Sequence, residues 1–253
     1  MPPQIALQLY TLRDALAEDF PGTLARIAQI GYRAVETAFL PEHITVTDAA
    51  RMIRDAGLQV VSAHCELPDG DQLEPTLEAM SAYGCTYMIW HGWPQDPDYS
   101  TLDGVKRLAE RYDAAHQTAR KYGYRFGIHN HWWEMEAVAG ELPYRILLQE
   151  MNRSIFFEVD TYWAKTAGRD PAQLITELGK RAELLHIKDG PLGRDSNMVA
   201  VGDGLLDFAA ISRASNGAAK YWVVELDRCA TNMVAAVERS YRYLTSRGLA
   251  SQM

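Results

Sequence analysis

Cysteine is scarce in this chain: Cys65, Cys85 and Cys229 are the only three in 253 residues, and no two form a CxxC pair. An odd, scattered set argues against a disulfide framework and suits isolated thiols in a reducing compartment. Excess positive charge is also missing, since 25 Lys and Arg face 33 Asp and Glu for a net charge of -8. Binding to nucleic-acid phosphates or to an anionic membrane surface needs clustered Lys and Arg, so neither nucleic acid nor membrane is an expected partner. No apolar run is long enough to span a bilayer. The opening residues Met1-Pro2-Pro3-Gln4 carry no basic region or small-residue cleavage site, which makes a cytoplasmic location the expectation. No GxGxxG follows the first β-rich run and no GxxxxGK[ST] occurs anywhere, so nucleotide-binding open sheets lose support.

What the chain does hold is a balance of 47% hydrophobic and 23% charged residues, enough to bury a sizeable core. A cadence recurs along it: a helical apolar pattern, a glycine, two or three mixed residues, then a β-rich run. It is seen at Ile27-Ala28-Gln29-Ile30-Gly31 before Ala34-Val35-Glu36, and again around Gly57, Gly84, Gly123 and Gly217. Glycine just past a helix tolerates the left-handed conformation that ends it, so each copy marks a helix handing over to a strand. The β-rich runs are Ile5–Tyr10, Ala34–Thr37, Val60–His64, Tyr87–His91, Arg125–His129, Ile155–Asp160, Leu184–Lys188 and Tyr221–Glu225. Helical patterns such as Leu102–Lys121 and Met233–Arg247 separate them. Strict alternation implies a parallel sheet, and eight βα units in this length predict an α/β fold of the (β/α)8 TIM barrel type, with residues 1–253 as one domain. A doubly wound open sheet is the alternative. The longest loops, Pro94–Thr101 and Gly190–Gly204, follow strand C-termini, where barrel enzymes place their sites.

Groups able to coordinate or protonate accumulate at those strand ends: Glu36, His64, His91, His129, His131, Glu134, Asp160, His186, Lys188, Glu225 and Asp227. A barrel brings them into one funnel, where unpaired charge is costly and a shared cation relieves the cost. Oxygen ligands with a single imidazole suit manganese, magnesium, cobalt or zinc.

Five motifs then fall in one order and at matching strand positions: Gly127-Ile128-His129-Asn130-His131-Trp132-Trp133-Glu134, Asp160-Thr161-Tyr162-Trp163, His186-Ile187-Lys188-Asp189, Val201-Gly202-Asp203-Gly204 and Val224-Glu225-Leu226-Asp227. In this the chain resembles the sugar phosphate isomerases/epimerases of the xylose isomerase-like barrel superfamily, from Ile5 nearly to its end. The resemblance implies a metal-dependent sugar isomerase, epimerase or related lyase. It also implies one divalent ion, manganese first among the four, on Glu134, Asp160, His186 and Glu225. Many relatives place a Glu where this chain has His129, so His129 or His131 replacing or joining Glu134 stays open.

The expected chemistry is proton abstraction next to a sugar carbonyl through a stabilised enediolate. Glu134 and Glu225 remove and return the proton, and Lys188 or His131 handles a hydroxyl proton. On this scheme Glu134→Gln and Glu225→Gln each abolish turnover. His64, His91, His129, Trp163 and Arg228 are expected to bind the small-molecule sugar, and His43 and His116 to lie on the surface. Trp90, Trp93, Trp132, Trp133, Tyr10 and Tyr162 either stack on sugar faces or pack. Glu36 either touches substrate or pairs with Arg13. Gly202-Asp203-Gly204 with Lys188, Arg194 and Arg228 offers an anion anchor, yet no glycine-rich phosphate cradle is evident and an unphosphorylated substrate is preferred. The competing readings are a lyase or dehydratase of a keto-sugar or cyclic polyol, an abasic-site endonuclease, which the acidic charge disfavours, and a non-catalytic sugar-binding protein. A homodimer is the expected assembly.

Overall fold

In the computed structural model, which describes residues 2–252, eight parallel strands close in sequence order into a barrel. The strands are β1 (Gln4–Gln8), β2 (Ala34–Thr37), β3 (Gln59–Cys65), β4 (Tyr87–Trp90), β5 (Arg125–His129), β6 (Phe156–Asp160), β7 (Ala182–Ile187) and β8 (Tyr221–Val224). Helices α1 (Arg13–Glu18), α2 (Phe20–Ile30), α3 (Val46–Asp55), α4 (Leu73–Tyr83), α5 (Leu102–Lys121), α6 (Pro143–Glu150), α7 (Thr161–Thr166), α8 (Pro171–Leu178), α9 (Phe208–Ser215) and α10 (Met233–Ser246) connect them. Local chemistry sets the helix ends. Thr101 accepts from the Gly104 amide at 3.0 Å to start α5, and Gly84, at φ 67°, closes α4.

Two departures from the sequence reading matter for the site. First, β1 stops at Gln8, because the Gln8 side chain accepts from the Tyr10 amide at 3.2 Å and turns Leu9–Leu12 into a 3-10 helix. Second, β4, β7 and β8 end one residue short of expectation, so His91, Lys188 and Glu225 stand on loops just beyond the sheet, with backbone freed from the ladder. His116, expected at the surface, is buried in α5. His43 is exposed. Among the described residues no helix is long and apolar enough to cross a membrane.

Most of the core lies between sheet and helices, while a second cluster joins Ala6, Ala34, Val61, Tyr87, Ile89, Phe156, Leu184 and Val223. Side chains two apart on a strand share a face, so the inward register of Ala6, Ala34, Phe156, Leu184 and Val223 continues through Gln8, Glu36, Glu158, His186 and Glu225. The barrel is thus plugged by apolar groups at one end and turns polar toward the strand C-termini. Asn130 locks two of those termini together. Its Oδ1 accepts from the Asp160 amide at 2.9 Å, and its Nδ2 donates to the Asp160 carbonyl at 3.4 Å.

Candidate metal centre

A cavity of about 380 Å³ opens at the C-terminal mouth, lined by Gln8, Tyr10, Arg13, Ala38, Phe39, His64, His91, Trp93, His129, His131, Trp132, Trp163, Lys188, Glu225, Asp227 and Arg228. All five expected substrate-binding residues, His64, His91, His129, Trp163 and Arg228, reach this wall. So do Lys188, His131 and Glu225 of the expected catalytic set. Trp93, Trp132 and Tyr10 join them, whereas Trp133 and Tyr162 are buried as packing.

At the floor, His129, Asp160, His186 and Glu225 bring ligating atoms within 4.8 Å of one another. The four lie on β5, β6, β7 and just past β8, adjacent staves of the barrel. His129 Nε2 is 3.5 Å from Asp160 Oδ2, and His186 Nδ1 is 2.6 Å from Glu225 Oε2. Each of these four atoms is buried without a hydrogen bond. Four buried polar atoms converging in this way, two carboxylate oxygens and two imidazole nitrogens, make a donor set that fits a divalent cation. Lys188 approaches the same point: Nζ lies 2.9 Å from Asp160 Oδ2, 2.7 Å from Glu225 Oε2 and 3.0 Å from Asp227 Oδ2.

Glu134 is elsewhere. Its carboxylate accepts from the His131 amide at 2.8 Å and does not line the cavity. It stands beside Trp133 and Tyr99, where burial lifts its pKa to about 8. Glu134 lies on the 3-10 helix Trp133–Met135, and the residue that stands with Asp160, His186 and Glu225 is His129. A chemical signal did exist: His129 ends β5 in the inward register, and Glu134 lies five residues into the loop.

A second group sits below the first, formed by Glu36, His64, Glu158 and His186. Glu36 does not pair with Arg13. It accepts from Gln8 Nε2 at 2.7 Å and Ser62 Oγ at 2.5 Å, and lies 2.8 Å from His186 Nε2, while Arg13 donates to the Tyr10 and Asp227 carbonyls. His64 Nε2 is 2.6 Å from Glu158 Oε2. Sequence reasoning missed Glu158. The signal was its place two residues before Asp160, a charge on the inward face of an otherwise apolar strand.

Burial dominates the electrostatics. It raises Asp160 to about 6 and, with help from Glu158, raises Glu36 to about 7. It lowers His64 to about 4 and holds His129 and His131 well below the usual imidazole range, so these rings are neutral. Burial opposes charge on His186 as well, but Glu158, Glu225 and Glu36 overcome it and raise its pKa. For Glu225, burial is outweighed by Lys188 and His186, which keep its carboxylate ionised.

The anion anchor expected at Gly202-Asp203-Gly204 is already engaged. The Gly202 and Gly204 amides both donate to Asp189 Oδ2 at 2.9 Å, and Gly190 and Leu206 donate to Oδ1. Arg194 pairs with Glu136. Of the other expected anchor groups, Lys188 and Arg228 line the cavity.

With this geometry in place, comparisons bear on its kin. The family model described as Xylose isomerase-like TIM barrel matches residues 24–244. No curated protein matches the chain. Among solved structures, a sugar phosphate isomerase/epimerase from Parabacteroides distasonis ATCC 8503 is 26% identical with a TM-score of 0.81, the match covering 99% of this chain and 96% of that one. A structure described as L-ribulose 3-epimerase is 19% identical, TM-score 0.73, covering 98% and 94%. The probable 3-DHS dehydratase AsbF from Bacillus anthracis is 13% identical, TM-score 0.75, covering 96% and 99%. At these last two identities the likeness is one of fold.

Proposed function

Since the chain belongs to the xylose isomerase-like TIM barrel family, we propose that it isomerises or epimerises an unphosphorylated sugar or keto-sugar with one divalent cation held by His129, Asp160, His186 and Glu225. The observation that carries this reading is the convergence of two carboxylates and two imidazoles, all buried, beneath a cavity with aromatic walls. The sugar phosphate isomerase/epimerase from Parabacteroides supports the reaction class. Two imidazoles and two carboxylates suit manganese, cobalt or zinc better than magnesium, which prefers oxygen alone. When bound, such a cation polarises a carbonyl and offsets the negative charge that grows as the neighbouring carbon loses its proton.

The chain's own groups divide the remaining work. Glu225, kept ionised by Lys188 and His186, is a carboxylate on the cavity that accepts a carbon-bound proton. Lys188 Nζ, fixed among three carboxylates, donates to an oxygen of the substrate, and neutral His131 exchanges a hydroxyl proton. Trp93, Trp132 and Trp163 offer rings to the C–H faces of a sugar and shield the site from water. On this reading Glu134 takes no part in proton transfer, its carboxylate being engaged by the His131 amide and standing outside the buried group of four.

Metal analysis of purified protein tests the proposal. About one equivalent of manganese, cobalt or zinc per chain is expected, lost in Asp160→Ala and Glu225→Ala, with solvent deuterium entering the product of an active ketose. Full metal content in both variants would overturn it. Lys188 also favours a lyase as a second reading, since a protonated amine held beside Glu225 can protonate a departing hydroxyl. Product mass separates the two, as an isomer keeps the substrate's mass and a dehydratase product lacks one water.

A further inference from the structure

We infer that Glu36 is a positioning residue that decides which nitrogen of His186 faces the cation, an inference resting on the metal site proposed above. Glu36 is fully buried on β2 and lines no part of the cavity. Its oxygens are surrounded by donors: the Gln8 amide at 2.7 Å on Oε1 and the Ser62 hydroxyl at 2.5 Å on Oε2. The third neighbour, His186 Nε2, lies 2.8 Å from Oε1. Oε1 already accepts from the Gln8 amide and so does not carry a proton itself, which makes Nε2 the donor in this contact. That leaves Nδ1, 2.6 Å from Glu225 Oε2 and without a hydrogen bond, as the nitrogen able to offer a lone pair. Imidazoles that bind metals commonly hand their other N–H to a carboxylate, which fixes the ring and makes it more basic.

The same reasoning separates the two groups stacked along the barrel axis. Glu36, His64, Glu158 and His186 are as close together as the upper four. Nevertheless His186 Nε2 cannot both donate to Glu36 and ligate a cation. His64 Nε2 is likewise committed to Glu158, 2.6 Å away. The lower group is therefore a hydrogen-bonded cradle that aims the upper group, and the chain holds one cation rather than two. A cation on Nδ1 makes Nε2–H a stronger donor, which eases the burial of an ionised Glu36.

The test uses the full chain with histidine-labelled nitrogen, loaded with Zn(II), and reads the His186 tautomer from long-range proton–nitrogen correlations. Nε2–H with Nδ1 bound is expected, at one zinc per chain. Mn(II) titration of Glu36→Gln, with folding checked by circular dichroism, is expected to show affinity reduced by roughly 10- to 100-fold, and Ser62→Ala a smaller loss in the same direction. Nδ1–H on His186 in the loaded wild type, a second zinc lost in Glu158→Gln, or unchanged Mn(II) affinity in folded Glu36→Gln would each overturn the inference while leaving the upper site intact. If Glu36→Gln fails to fold, the wild-type tautomer alone decides. Absence of Zn(II) and Mn(II) binding in wild type would instead remove the metal site itself, and this inference with it.

Discussion

At the scale of single residues, the sharpest consequence of the fold is that His129 rather than Glu134 stands with Asp160, His186 and Glu225. Glu134 is buried, lifted to about 8 and bonded to the His131 amide, so a neutral glutamine reproduces its role closely. Glu134→Gln is expected to retain metal binding and turnover, contrary to the two-glutamate scheme suggested by the motif. Glu134→Ala should cost about 1–3 kcal/mol of stability by orphaning that amide, measurable by urea unfolding. His129→Ala is expected to weaken Mn(II) binding by at least about tenfold in a titration, since it removes one of four donors. Equal metal affinity in wild type and His129→Ala would return Glu134 to the ligand set.

Among elements, two side chains act as joints between strand ends and the loops that carry chemistry. Asn130 spans the ends of β5 and β6, and thereby spaces His129 from Asp160. Asp160 itself accepts from the Trp163 amide at 2.8 Å and so starts α7, which ties one of the four clustered groups to the helix bearing a cavity-wall tryptophan. Asn130→Ala should lower stability by about 1–3 kcal/mol and weaken metal binding together, whereas a purely structural joint would move stability alone. Asp189 organises the loop after β7 through four backbone amides, and a Cβ on Gly204 would come 2.1 Å from its Oδ1. Asp189→Ala is expected to raise protease sensitivity within Gly190–Gly204, read by limited digestion, because four loop amides lose their shared acceptor.

For the whole molecule, the polar half of the barrel sets a pH dependence. Without metal, Glu36 near 7, Glu134 near 8 and a raised His186 hold protons in the fold that the unfolded chain releases at lower pH. Above about pH 6.5 the native state therefore binds more protons than the unfolded one, and stability falls as pH rises toward 8. His64, His129 and His131 act in the opposite sense, but only below about 6.5, where the unfolded chain gains their protons. Urea unfolding in chelator should show lower stability at pH 8 than at pH 6.5. Added Mn(II) should stabilise more at the higher pH, since cation and protons compete for the same donors. A metal-free protein that gains stability across this interval would contradict the charge arrangement described here.

The eightfold alternation of strand and helix, the closing glycines and the gathering of His, Asp and Glu at strand ends were all readable in one dimension. They depend on local periodicity and on each residue's own conformational preference. Asp160, His186 and Glu225 were legible for that reason. The choice between His129 and Glu134 stayed open in the sequence, because it depends on whether the chain after β5 continues along the axis or turns, as it does into the 3-10 helix Trp133–Met135. Nor could the sequence place Lys188 among three carboxylates, or seat Glu36 beneath His186, 150 positions away. Those pairings follow from barrel closure and inward register, which bring residues from different strands onto one axis and leave them in a medium where an unpaired charge is too costly to persist.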